Sequence, residues 1–240
     1  MINTAVISAA GKGTRMKDLS ATQPKHVIAV AERPFIFYLL DNLKQAGFNK
    51  LIVVVGYHKQ VMIERLKKWQ DLPIEIIDQA KYVPPDHYGT LCPIRAVEHL
   101  LGKESFVAVN GDNLYSSHDL EEIKKSDEVN YVAGLKHNHP EKYGVLISSA
   151  NDYLKKIIEK PQTFVGNLIN TGLYSFNPEI FSVISMVSIS VRGEYELTDA
   201  INILALQDRV KIKKLRDYWL DFTKPEDIAQ VEQFIKSGRL

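Results

Sequence analysis

The chain has 240 residues, of which 45% are hydrophobic and 25% charged. That is the mix of an ordinary soluble globular protein, long enough to bury a core without metal or disulfide staples. Thirty Lys and Arg against 29 Asp and Glu leave a formal net charge of +1, which excludes a strongly basic nucleic-acid binder and an acidic solvating tail, and no apolar run approaches the roughly 20 residues of a membrane span.

Ala5 to Ser8 reads as a buried strand, and the residues before it lack a cationic leader and a cleavage site, so no signal peptide is expected. Pro34 to Ala46 reads as a helix, with Phe35, Leu39, Leu43 and Ala46 at helical spacing and Gly47 as its stop. Leu51 to Val55 is apolar on both faces, as a central parallel strand is, and Gly56 ends it. Val61 to Trp69 predicts a helix, Ile74 to Ile77 a strand, and Pro93 to Leu101 another helix. Phe106 to Val109 is a further buried strand, broken at Gly111. This alternation implies right-handed crossovers and an open, mostly parallel sheet. Beyond it, Tyr131 to Leu135, Gly144 to Ser148 and Leu168 to Phe176 read as strands of a more antiparallel part forming the other wall of a cleft. Helices return at Pro178 to Ile184, Leu197 to Leu206 and Pro225 to Ile235. The expected fold is α/β and Rossmann-like. A mixed, mostly parallel central sheet is flanked by helices, with a smaller antiparallel part, in one domain spanning 1–240.

The strongest local signal follows the first strand: Ala9-Ala10-Gly11-Lys12-Gly13-Thr14-Arg15-Met16. A glycine-rich turn after a strand exposes backbone N–H groups and admits a phosphate. The dinucleotide fingerprint fails at Met16, and no P-loop Lys-Ser/Thr pair follows. Lys12, Arg15, Lys17 and Lys25 lie close together, opposed only by Asp18. In a near-neutral chain, cations concentrated at the carboxyl end of a strand point to an anionic, phosphate-bearing ligand.

That segment, followed by Pro24-Lys25-His26, resembles the signature of the sugar-1-phosphate nucleotidyltransferases. Later segments match in order: Val109 to Asn113, Tyr143-Gly144-Val145, Ile158 to Pro161, Asn170 to Tyr174, Arg192 to Asp199, and Trp219-Leu220-Asp221 with Pro225-Glu226-Asp227. The segment from Arg192 resembles the glucose-1-phosphate thymidylyltransferase branch.

The resemblance implies Mg²⁺-dependent attack of a sugar-1-phosphate oxygen on the α-phosphorus of a nucleoside triphosphate, with pyrophosphate leaving. It implies that Ala10, Gly11, Gly13 and Thr14 cradle the triphosphate, with Gln79, Gly89 and Thr90 at the base. Arg15 would face the leaving pyrophosphate and Lys25 the α-phosphate, while Asp112 and Asp221 would share Mg²⁺. Gly144, Glu159, Lys160, Asn170 and Arg192 would hold the sugar phosphate. Residues up to about 115 would form a nucleotide-binding half and the rest a sugar-binding half. Glucose-1-phosphate with dTTP or UTP is the favoured pair. A mannose-1-phosphate guanylyltransferase, a CTP-dependent cytidylyltransferase of a small phosphorylated alcohol, and a catalytically silent nucleotide-sugar-binding regulator stay open. An NAD-dependent oxidoreductase is disfavoured by Met16. Family members are commonly oligomeric, which leaves a homo-oligomer open, and the absence of hexapeptide repeats argues against an appended acyltransferase domain.

Four departures accompany the resemblance. Gln79 precedes Gly89-Thr90 by a longer segment than usual, one that contains Pro84-Pro85. Leu91 follows where a small residue is common, Thr171 replaces an alanine, and Thr223 stands near a usual glycine. His137-Asn138-His139 would place two imidazoles on one strand face but lacks a visible third ligand, which favours a surface turn over a metal site. Cys92, the one cysteine, reads as a small buried apolar residue and suits a cytoplasmic location. The alternation from Val183 to Val191 reads as packing.

Overall fold

In the computed structural model, residues 1–124 and 128–240 are described. In chain order the elements are β1 (Thr4–Ala9), β2 (Ala29–Val30), β3 (Arg33–Pro34), α1 (Phe35–Gln45), β4 (Lys50–Val55), α2 (Lys59–Leu66), β5 (Ile74–Asp78), α3 (Cys92–Ala96), α4 (Glu98–Leu101), β6 (Phe106–Asn110), β7 (Asn113–Tyr115) and α5 (Ser117–Glu122). They continue with β8 (Asn130–Lys136), β9 (Gly144–Ser148), β10 (Leu154–Glu159), β11 (Leu168–Phe176), α6 (Glu179–Ile184), α7 (Leu197–Ala205), β12 (Val210–Lys214), β13 (Trp219–Asp221) and α8 (Glu226–Lys236).

Nine strands form one sheet in the order β10-β9-β11-β6-β1-β4-β5, with β8 also on β11 and β12 on β8. β1 lies between β4 and β6, parallel to both. Its residues alternate between two apolar layers: Ala5, Ile7 and Ala9 join the cluster with α1, α2 and α8, whereas Val6 joins the cluster with α3, α6 and α7. Ile52 and Val54 against Leu51, Val53 and Val55 repeat the split in β4. A strand apolar on both faces needs a helix layer on each side, and that requirement sets the three-layer architecture.

The antiparallel strands do not form a separate sheet. β11 pairs antiparallel with β6 at Leu173–Phe176, so the same sheet continues into the second half. A bulge between Asn170 and Tyr174 re-aims β11 so that its first part meets β9 and the start of its run with β8. Gly172 makes the bulge at φ +75°, and a Cβ there would collide with the Asn110 side chain.

The expectations for 93–101 and 183–191 need correction, whereas the histidine turn and the buried cysteine stand. The helix expected over 93–101 is two short helices, because the backbone leaves helical angles at Val97 (φ −101°, ψ 1°). His137 and His139 lie beyond the end of β8, in a turn in which His137 Nδ1 accepts from His139 N at 3.0 Å. The alternation over 183–191 packs only in part: Val183 and Val187 are buried, but Ile189 and Val191 are exposed. Cys92 is buried, and burial pushes its thiol up to about 11. Among the described residues, no helix is long and apolar enough to cross a membrane.

Candidate active site

Parallel strands all end on the same side, and their carboxyl ends carry the site. The loop 10–13 leaves β1, Gln79 opens a tight turn after β5, and Asn110 ends β6 just before Asp112. Met16 N and Ser20 Oγ both bond the Gly13 carbonyl, at 2.9 Å each, which curls the loop back over Met16, a fully buried side chain.

Lys25 is almost wholly buried and pairs directly with Asp112. Burial alone would raise the Asp112 carboxyl, but the charge of Lys25 and its hydrogen bond hold it below the usual range. Burial, with Lys25 adding to it, keeps the neighbouring His26 neutral down to about pH 3. The Nδ1 of His26 is buried without a partner.

Asp221 reaches Asp112 through strand pairing. β13 pairs antiparallel with β7, placing Asp221 opposite Asn113, and Phe222 N donates to the Asp112 carbonyl at 2.9 Å. Phe222 is fully buried and stacks on Phe35, the first residue of α1, at 4.1 Å. Asn113 Nδ2 (3.1 Å), Thr223 Oγ1 (3.2 Å) and Tyr143 OH (3.4 Å) donate to the Asp221 carboxylate. Burial, then the charges of Asp112 and Asp227, push its pKa up to about 6. Two carboxylates thus sit together with too little positive charge for both.

Two cavities open from this point. The larger, of about 500 Å³, is lined by Ala10, Gly11, Gly13, Thr14, Gln79, Gly89 and Thr90 together with Arg15, Lys25 and Asp112. All seven residues assigned to the nucleotide therefore face one space. The smaller, of about 180 Å³, is lined by Gly144, Glu159, Lys160, Asn170 and Arg192, with Arg15, Asp112 and Asp221. Arg15, Thr90, Asn110, Asp112, Lys160, Arg192 and Thr223 border both.

The walls of the smaller cavity are tied together. Arg192 donates to Glu159 Oε1 at 3.0 Å and lies 3.4 Å from Glu196 and 3.9 Å from Glu194. Burial raises the Glu159 carboxyl, and Arg192 works against it. Asn170 Nδ2 donates to Tyr174 OH at 2.8 Å. A Cβ on Gly144 would meet Glu159 Oε2 at 2.9 Å, so this backbone and that carboxylate share one wall. Thr171 turns inward, donating to the Ala133 carbonyl at 3.1 Å, while its own carbonyl accepts from Tyr115 OH and Trp219 Nε1. The second threonine departure is also absorbed, because Thr223 bridges Asp221 and Asp227.

The Gly89-Thr90 segment is clamped to the start of α7. Tyr195 N donates to the Tyr88 carbonyl at 2.7 Å, Leu91 N to the Tyr195 carbonyl at 3.0 Å, and Leu197 N to Thr90 Oγ1 at 2.9 Å. Gly89 has φ +136°, and a Cβ would be driven into the Tyr195 backbone oxygen. The buried Oε1 of Gln79 has no partner.

Sequence reasoning gave no role to Tyr143, Trp219, Glu196 or Tyr88, all of which line one of the cavities. The first three lie inside the matched segments, where proximity was the available signal; Tyr88 had only the neighbouring Gly89.

A family model described as nucleotidyl transferase matches residues 4–238. The chain is 34% identical over 232 residues to a bifunctional sugar-1-phosphate nucleotidylyltransferase/acetyltransferase of Sulfurisphaera tokodaii, covering 96% of this chain but 55% of that protein. It thus spans about half the length of that relative. It is 33% identical to a UTP–glucose-1-phosphate uridylyltransferase of Haloferax volcanii over 95% of each chain. It is also 30% identical to a mannose-1-phosphate guanyltransferase of Saccharomyces cerevisiae, over 92% of this chain and 62% of that one. Among solved structures, a UDP-glucose pyrophosphorylase complexed with UDP-glucose superposes with TM-score 0.86 at 21% identity, over 99% of this chain and 100% of that one. A UTP-bound UGPase from Acinetobacter baumannii gives 0.78 at 21%, over 98% and 93%. At such identities these two establish the fold. With a family model covering nearly every residue and a full-length relative at 33% identity, the chain belongs to the nucleotidyl transferase family, among relatives that are sugar-1-phosphate nucleotidyltransferases.

Proposed function

We propose that the chain joins a nucleoside triphosphate to a sugar-1-phosphate, forming an NDP-sugar and pyrophosphate. The observation that carries this reading is the shared border of the two cavities. Arg15, Lys160, Arg192 and Asp112 face both, so that one phosphate-bearing ligand per cavity would meet the other there. The halves, about 1–115 and 116–240, would work as one unit on the continuous sheet.

The chemistry needs two polyanions held in line while charge moves to a leaving group. Backbone N–H groups of residues 10–14 would hold the triphosphate, with Gln79, Gly89 and Thr90 at the base. Lys25 would bear on the α-phosphate, and Arg15, a fork of donors, on the departing pyrophosphate. Lys160 and Arg192 would hold the sugar phosphate, with Glu159, Asn170 and the Gly144 backbone against the sugar. An oxygen of the sugar phosphate attacks the α-phosphorus, and the α–β bridging bond breaks with its electron pair leaving on pyrophosphate.

A divalent cation fits Asp112 and Asp221. Both are hard oxygen donors, Asp112 just before β7 and Asp221 at the end of its partner β13, and burial with the Asp112 and Asp227 charges raises the Asp221 pKa. Mg²⁺ bound there would supply charge neutralisation between the two phosphates. Lys25 would then exchange its contact with Asp112 for one with phosphate.

Glucose-1-phosphate with UTP or dTTP is the preferred pair in this reading, supported by the likeness to the Haloferax volcanii enzyme. The test is pyrophosphate release with Mg²⁺ across UTP, dTTP, CTP, GTP and ATP against glucose-1-phosphate, mannose-1-phosphate, glucosamine-1-phosphate and phosphocholine. Turnover is expected for UTP or dTTP with glucose-1-phosphate. A GTP and mannose-1-phosphate preference would replace that pair, and silence across the grid by folded protein would overturn the transferase reading.

A further inference from the structure

Tyr88 lines the larger cavity with 44% of its surface exposed, an unusual position for a large aromatic side chain. Its backbone is fixed: its carbonyl accepts from Tyr195 N, and the next residue holds a conformation and a closeness to Tyr195 that suit glycine. Behind it, the His87 ring stacks on the Tyr195 ring at 4.2 Å, and Arg95 NH1 lies 2.8 Å from His87 Nδ1. The ring of Tyr88 is therefore carried on a segment that cannot easily swing away. No ring among the described residues stacks on it. Its aromatic contact is the Lys12 ammonium, 5.7 Å from the ring centroid, which joins the rim of the loop after β1 to the loop after β5. Tyr82, the other half-exposed tyrosine nearby, is already stacked on His99 at 4.0 Å.

Within the same cavity, Gln79 Oε1 is buried and has no partner. The space thus offers an aromatic face that no other ring covers, in the same cavity as the Gln79 side chain, and neither residue lines the smaller cavity. A phosphate has no face to stack on a ring, whereas a flat heterocycle does.

We propose that Tyr88, beside the residues already placed at the base, stacks on the nucleobase and provides most of the base-dependent affinity. This rests on the nucleotide reading of the larger cavity. Every base has a π-face, so stacking adds affinity.

Tyr88→Leu and Tyr88→Phe test it, with unchanged Tm as the fold control. UTP, GTP and inorganic tripolyphosphate are the probes, their dissociation constants read by equilibrium dialysis without sugar phosphate. Tyr88→Leu is expected to weaken UTP and GTP by about 5- to 100-fold, while tripolyphosphate affinity and the KM for glucose-1-phosphate stay within about twofold. Tyr88→Phe should bind as the wild type does. Unchanged nucleotide affinity in Tyr88→Leu would overturn the proposal. So would equal losses for tripolyphosphate, which would place the ring at the phosphates, or an equal loss in Tyr88→Phe, which would assign the effect to the hydroxyl. Wild-type protein that binds tripolyphosphate but no nucleotide would instead overturn the nucleotide reading itself.

Discussion

Asp221 is the residue whose environment says most about the site. Three side chains donate to its carboxylate, yet burial and the charges of Asp112 and Asp227 win, and its pKa rises to about 6. An unfolded aspartate ionises near pH 4. Between about pH 4 and 6 the folded chain therefore keeps a proton that the unfolded chain has lost, and stability falls as pH rises. The stability due to the protonated carboxyl is complete below about pH 4 and gone above about pH 6. Asp221→Asn, which cannot ionise, should in metal-free buffer exceed wild type by roughly 1–3 kcal/mol at pH 7.5, and the difference should vanish near pH 4. Urea unfolding across that range checks it; a variant less stable at pH 7.5 would mean that the ionised carboxylate is already compensated. The acidic residues were legible in the sequence as chemistry: Asp112 followed a buried strand, and both it and Asp221 lay in matched segments. Their electrostatic inequality was not, because it depends on which of them Lys25 reaches, and that is a matter of three dimensions.

At the scale of elements, the clamp between residues 88–91 and 195–197 joins the two cavities. It consists of backbone bonds plus the Thr90 hydroxyl, which accepts from Leu197 N and donates to Glu196. Gly89→Ala would add strain at φ +136° and a collision with backbone oxygen. The expected cost of about 1–3 kcal/mol corresponds to a Tm fall of roughly 3–10 °C, with a higher KM for the nucleotide; an unchanged Tm would contradict this account of the clamp. Strands apolar on both faces, β4 and β6, were plain in the sequence, since a run of apolar residues without alternation marks a central strand. β10 and β12 were not, because Lys155, Lys156, Lys211 and Lys213 interrupt their apolar pattern, as suits strands near the sheet's margins. The three-residue strands β7 and β13 are too short to leave a period, yet their pairing is what delivers Asp221 to Asp112. α5 was missed for a similar reason. Its start is fixed by Ser116 capping Asp119 N, and Asp119 in turn receives Arg216 N and Asp217 N.

Over the whole molecule, one sheet covered on both faces places the ends of β1, β5 and β6 beside the bulged strand β11 from the second half. The mostly parallel first half was readable from its alternation of apolar runs and helical patterns. The way the second half continues the sheet was not, because strand pairing between β11 and β6 is non-local and β11's own sequence is compatible with either arrangement. The residues of the candidate site were readable largely through resemblance, whereas their division into two cavities with a common border required the structure. In the proposed function, that border is where the two bound ligands would react. The most direct test uses glucose-1-phosphate carrying ¹⁸O in its phosphate, with UTP and Mg²⁺, followed by mass spectrometry of both products. Direct attack on the α-phosphorus predicts an NDP-sugar that keeps all the label and an equal amount of unlabelled pyrophosphate. Label in released phosphate or pyrophosphate, or nucleotide breakdown that does not require the sugar phosphate, would contradict it.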